Sequence, residues 1–209
     1  MKTLQLIRFI WKPIVFLICL TPAILLVTDA FELTGRLGAN PVEEIQDRFG
    51  NWALRFILIT LTITPLRRLS GWNWLSRYRR MIGLFAFFYA FMHFLAWLIL
   101  DQGFLLSAIL EDITKRRFIT IGFLAVLFLL ALTLTSFTAI RQRMGANWQK
   151  LHNAIYVIGI LGVWHYWWQV KKDITEPLIY AAILTTLLGA RLIWHWAHSR
   201  KRRRTAHPA

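Results

Sequence analysis

Six histidines and one cysteine set the chemistry open to this chain. His93, His152 and His165 fall within long apolar stretches. An imidazole there needs partners that lipid cannot supply, so intramembrane histidines are functional candidates by default. The single cysteine, Cys19, excludes a disulfide framework, a CxxC metal site and a CxxCH haem attachment. Any haem is therefore held non-covalently. His93 lies 13 residues beyond Arg80 and His165 lies 15 beyond Lys150. At about 1.5 Å per helical residue these are rises of about 20 and 22 Å. The two imidazoles thus reach nearly one level, and facing each other across a bundle they form a bis-histidine site for a haem iron. Zinc lacks a third and fourth ligand at that depth.

His152 lies about 20 Å lower, and its level in the third span holds Arg79 and Arg80 rather than histidine. The lower site is incomplete as a bis-histidine site. It holds a haem with another ligand, a flavin, or nothing, and His195 and His198 at the end of the last span share its level. Haem propionates and flavin phosphate are anionic and pair with arginine in two-pronged fashion. Arg55 is placed to meet propionates at the upper site, and Arg77, Arg79 and Arg80 to meet an anionic cofactor at the lower one. The alternative for each is snorkelling to headgroups. Trp164, Trp167 and Trp168 read as part of an aromatic belt or as neighbours of a planar cofactor.

The elements that position these residues are apolar blocks. Of 209 residues, 57% are hydrophobic, and the excess falls in runs of about 20, enough to cross a bilayer core of about 30 Å. The blocks are Phe9–Phe31, Asn51–Leu66, Met81–Leu100, Phe118–Ala139, Leu151–Val170 and Leu178–Ala197. The first is long and lacks a cleavage site, so it is expected to remain as a helix. Asn40 before Pro41 favours a helix start, and a short surface helix is expected over Val42–Phe49. The connectors leave no room for a soluble nucleotide-binding domain.

The net charge is +15. Lys2, Arg8, Lys12, Arg67, Arg68, Arg77, Arg79, Arg80, Arg141, Arg143, Lys150 and Arg200–Arg204 fall on one side, with no acid among them. All ten acids fall on the other. The basic side is cytoplasmic by the positive-inside rule. The Arg-rich tail is a stop-transfer anchor touching anionic lipid headgroups rather than a nucleic-acid patch. The expected fold is an all-α integral membrane protein: a six-helix transmembrane bundle with both termini cytoplasmic. Residues 1–209 form one domain with a basic cytoplasmic tail over 198–209.

Two motifs carry a resemblance. One is Leu37-Gly-Ala-Asn-Pro-Val-Glu-Glu-Ile-Gln46 with Gly50 following. The other is Thr135-Ser-Phe-Thr-Ala-Ile-Arg141 leading to Gly145-Ala-Asn-Trp-Gln-Lys-Leu-His152-Asn-Ala-Ile-Tyr156. With Arg79-Arg80 before Gly83 and His93, nearly the whole chain resembles the MsrQ (formerly YedZ) family. These are haem-binding membrane subunits of bacterial MsrPQ methionine sulfoxide reductase systems. Their wider relatives are ferric-reductase-like transmembrane domains, including the membrane part of NADPH oxidases.

The resemblance implies haem b, with His93, His152 and His165 as the carried-over histidines, and FMN as a second cofactor. It implies residence in the bacterial inner membrane. It implies electron delivery from the quinone pool or a cytosolic flavin reductase to the periplasmic molybdoenzyme MsrP, for repair of oxidised periplasmic proteins. The wider relatives use two histidine pairs, whereas here the lower member on the third span is absent. The chain itself is then a non-catalytic electron-transfer subunit, with Leu33–Gly50 and Gln102–Arg117 as docking loops. A rival reading is a small proton-coupled transporter using its intramembrane histidines, although no broken helix pair or inverted repeat is visible. A purely structural anchor leaves His93 and His165 unexplained.

Overall fold

The computed structural model describes residues 7–170 and 173–206, with side chains over 9–170 and 173–197. Lys2 and the side chains of His198 and Arg200–Arg204 lie outside the described residues. A short π-helical turn, Ile7–Trp11, leads into α1 (Lys12–Ala30). There follow α2 (Pro41–Ser70), α3 (Arg79–Ala96), α4 (Leu106–Lys115) and α5 (Arg117–Leu134). The chain continues through α6 (Thr138–Met144), α7 (Ala146–His152), α8 (Ala154–Gln169) and α9 (Thr175–Ala206). No strand occurs among the described residues.

Five helical stretches are long and apolar enough to cross a membrane: Phe9–Ala30, Pro41–Ser70, Arg79–Asp101, Arg117–Leu134 and Thr175–Ala197. The fifth apolar block of the sequence becomes two helices instead of one. It breaks at Asn153, leaving α8 with 16 residues, or about 24 Å of rise. The fourth block also stops early, at Leu134. Thr135–Phe137 turn the chain, and Gly145, at φ +52°, separates α6 from α7. The left-handed region suits glycine because it has no Cβ.

The second block departs from expectation in the other direction. Val42–Phe49 is no separate surface helix: it is the opening of the 30-residue α2. Asn40 caps α2, its side chain accepting from the Glu43 N–H, with Pro41 in the first turn. Gly71 ends α2 in the left-handed conformation, φ +73°. Gly50 reads as a boundary in the sequence, yet it sits mid-helix for a packing reason given below.

The central element is α2. Half of its apolar window is buried inside the bundle, against 17% for α1, α5 and α9. It packs antiparallel to α3 around an aromatic core. Tyr89, fully buried, stacks on Phe56 at 5.1 Å with planes 15° apart, and touches Phe85, Phe88 and Trp52. Its hydroxyl accepts from the Ala23 N–H at 3.1 Å and donates to the Cys19 carbonyl at 2.8 Å. A regular helix pairs those two groups directly. Pro22 sits between them, and the Tyr89 hydroxyl fills the gap in α1.

Candidate functional site: two facing imidazoles

His93, near the end of α3, and His165, near the end of α8, face each other. Their ring centroids are 6.0 Å apart and their planes 83° apart. Imidazole–metal bonds of about 2.0–2.1 Å would put two axial rings roughly 6 Å apart, so the pair has the separation of a shared metal. Helical rise brought both residues to one level as expected.

Each ring is held in the same way. His93 Nδ1 donates to the carbonyl of Gln46 at 2.8 Å, and His165 Nδ1 donates to the carbonyl of Phe118 at 2.7 Å. A carbonyl only accepts, so each Nδ1 carries the proton. Each Nε2 then keeps its lone pair, as metal ligation requires. Four residues after each carbonyl stands a glycine. A Cβ on Gly50 would lie 3.0 Å from His93 Nδ1, and one on Gly122 would lie 2.7 Å from His165 Nδ1. Only a glycine lets a ring reach a carbonyl one turn back along α2 or α5. Both glycines sit inside helices for that reason.

The rings open onto a cavity of about 380 Å³ between α2, α3, α5 and α8. Leu54, Ile57, Phe94, Phe123, Val126 and Leu129 line its apolar body, and Glu43, Asp47, Asp101 and Arg116 stand at its mouth. A cavity with an apolar body and two imidazoles about 6.0 Å apart fits an iron porphyrin. Among the described residues no group of three or more His, Cys, Asp or Glu converges on a metal position.

A family profile described as "Ferric reductase like transmembrane component" matches residues 49–163. A relative from Ralstonia nicotianae is 44% identical over 203 residues, 96% of this chain and 91% of its own length. Relatives from Herminiimonas arsenicoxydans and Xanthomonas euvesicatoria pv. vesicatoria are 50% and 52% identical, covering 79% and 83% of this chain and 78% and 80% of their own lengths. All three are named protein-methionine-sulfoxide reductase heme-binding subunit MsrQ. The chain belongs to the MsrQ family.

The remaining candidates of this MsrQ-family chain do not all gather at the cavity. Arg55 turns away from it. Its Nε donates to the Tyr180 hydroxyl at 2.9 Å and its guanidinium lies 4.9 Å from the Trp52 ring, which ties α2 to α9. The cation at the mouth is Arg116, paired with Asp112 at 3.0 Å. The sequence hides Arg116 in a connector between two blocks, with nothing to separate it from Arg117. Trp164 and Trp168 pack edge-to-face at 5.1 Å on the exposed side of α8, as a belt would. Trp97 is the tryptophan that lines the cavity, its Nε1 directed at Asp112.

His152 stands at the other end of the bundle. Its Nε2 is 3.1 Å from the Thr135 hydroxyl, and its ring stacks on Trp148 at 4.0 Å. Trp148 in turn donates to the Thr135 carbonyl at 2.9 Å and lies under Arg141. Burial, with Arg79 and Arg141 adding to it, holds His152 below the ordinary imidazole pKa. Arg79 is half-buried and close enough to act on it, whereas Arg77 and Arg80 are exposed. His195 is exposed on α9. No second histidine pair forms among the described side chains.

Proposed function

We propose that this chain is the haem b subunit of a membrane electron-transfer system. The observation that carries the reading is the facing of His93 and His165, each with its Nδ1 tied to a helix carbonyl. The haem-binding name borne by its relatives supports it. When bound, the haem supplies a one-electron couple. The chain's own residues hold that group: His93 and His165 present Nε2 lone pairs from opposite sides, and Gly50 and Gly122 leave room for the rings to lock. Apolar side chains keep water from the cavity, and Arg116 offers a propionate a cation at the mouth. The ends of α6 and α7, with His152 and Arg79, form the opposite terminus of the path.

The finer reading follows the family. Six crossings, α8 being the sixth, place both termini on the cytoplasmic side of the bacterial inner membrane. FMN is the second cofactor, with its phosphate near Arg79 and with Arg77 and Arg80 beside it. Electrons come from the quinone pool or a cytosolic flavin reductase and pass to periplasmic MsrP, bound as a heterodimer, for repair of oxidised methionine. The cavity mouth, with Glu43, Asp47 and Asp101, faces that partner.

A reduced-minus-oxidised absorption spectrum of the purified full chain, with iron counted per protein, tests the proposal. A b-type difference spectrum with one iron per chain is expected. Protein purified from haem-replete cells with no such spectrum overturns it. Proton-coupled transport predicts instead that His93 and His165 titrate freely and hold no iron.

A further inference from the structure

Arg191, within α9, was not among the residues that sequence reasoning singled out. Its position follows from a proline. Pro65 in α2 has no N–H, so the Leu61 carbonyl one turn earlier loses its helical partner. Arg191 reaches across from α9 and donates one Nη2 hydrogen bond to that carbonyl. Its guanidinium lies 5.1 Å from the Tyr156 ring, a contact that adds cation–π attraction but accepts no N–H.

The other donors have nowhere to go. Nε and Nη1 of Arg191 are buried with no hydrogen-bond partner. Arg68 and Arg79 stand close enough to repel it. The acids cannot answer this charge. Each ion pair among the described residues lies at the other end of the bundle or on its connectors, with Asp29, Glu32, Glu44, Glu111 or Asp112 as the acid. A buried cation without an anion is strongly destabilising, and in a membrane it calls for a partner. Backbone repair at Leu61 accounts for one donor only.

We propose that Arg191, with Arg68 and Arg79, forms an oxyanion site at the basic end of the bundle that binds a phosphate group carried by an amphiphilic molecule. The unmet Nε–H and Nη1–H donors point to different sides of the guanidinium, and the Nη2 N–H not used by Leu61 makes a two-pronged edge with one of them, the fork that phosphate accepts. Arg79 and Arg68 supply the second and third cations. The amphiphile is either an anionic lipid or a phosphorylated cofactor, since both bring one phosphate to this depth. The site does not depend on haem ligation between His93 and His165.

The test uses the full chain in detergent and in lipid nanodiscs. Native mass spectrometry and phosphorus analysis read bound phosphate, and titrations use riboflavin 5′-phosphate, riboflavin and inorganic phosphate as probes. Nanodiscs of phosphatidylglycerol are compared with those of phosphatidylcholine. Arg191→Gln should weaken phosphate binding roughly ten- to hundredfold, the range expected for lost charge-assisted hydrogen bonds. Arg191→Lys should fall between, and Arg143→Gln on the exposed face of α6 should match wild type.

The background Pro65→Ala restores an N–H to the Leu61 carbonyl. In that background Arg191→Gln strands no carbonyl and loses the anion contact and the Tyr156 ring contact, and an unchanged haem spectrum reports an intact fold. Binding of riboflavin 5′-phosphate but not riboflavin assigns a cofactor phosphate. Selective retention of phosphatidylglycerol assigns a lipid. Equal affinity in Pro65→Ala with and without Arg191→Gln overturns the proposal, as does wild-type protein that binds none of the probes.

Discussion

The two ends of the bundle each present a histidine on the same stretch of sequence, 13 residues apart, and use it differently. At His165 the Nδ1 is tied to a backbone carbonyl, the Nε2 is left open, and a second ring arranged in the same way stands opposite. At His152 the Nε2 meets Thr135 and the ring face is covered by Trp148. Imidazole chemistry is identical in the two places, so the surroundings decide between ligand and neighbour. A ligand needs the far nitrogen anchored and the near one unoccupied. His152 has its Nε2 against the Thr135 hydroxyl instead.

Replacing the histidines one at a time gives the largest contrast. His93→Ala and His165→Ala should each abolish bound haem, measured as the Soret band and iron per chain. His152→Ala should keep it. Loss of haem in His152→Ala to the same extent would erase the distinction between the two ends.

The glycines give the next effect. Gly122→Ala puts a methyl group 2.7 Å from the His165 ring, and Gly50→Ala puts one 3.0 Å from His93. Overpacking of this kind typically costs 1–3 kcal/mol. Haem occupancy should fall in both variants, further in Gly122→Ala. Wild-type occupancy in both would show that the ring-to-carbonyl approach is unimportant.

A smaller effect lies in pH. The folded pKa of His152 is depressed below an unfolded value of about 6.5. Its contribution is therefore present above that value and is lost as pH falls through the folded pKa. Thermal unfolding midpoints should decline on acidification through this range, and His152→Gln should flatten that part of the profile. A profile unchanged in the variant would remove His152 from the acid sensitivity. Smallest is a spectroscopic signature. Carbonyl anchors hold the two ring planes near perpendicular, at 83°. The ferric protein should give a strongly anisotropic low-spin electron paramagnetic resonance signal. An ordinary rhombic signal, as from coplanar rings, would mean that the anchors release on binding.

Much of this was legible before any coordinates. Apolar block length and helical rise place His93 and His165 at one height, because both quantities depend only on counting residues along helices. The break at Asn153 was not legible, since no proline or glycine marks it and the apolar run resumes directly after it. Gly50 was misread as a boundary. Glycine in sequence signals either a turn or a close approach, and only the ring of His93, 43 residues away, distinguishes them. Arg55 followed the rule that cations near a cofactor face it, but the Tyr180 hydroxyl on α9 offered a nearer acceptor. Arg191 was passed over although an arginine inside an apolar block is itself a signal. Its target, a carbonyl freed by Pro65, comes from a different helix.

The hydroxyl of Tyr89 wedged into α1 bears on how the protein is assembled. None of the residues lining the cavity comes from α1, and most of that helix faces outward. The lining of the cavity is thus complete without the first segment, which is tied to the rest by the Tyr89 hydroxyl, the Phe16–Phe85 ring contact and the Arg48–Asp29 ion pair. Tyr89→Phe would remove one of these ties and leave the cavity lining in place, so α1 serves as a strap added to a finished vessel.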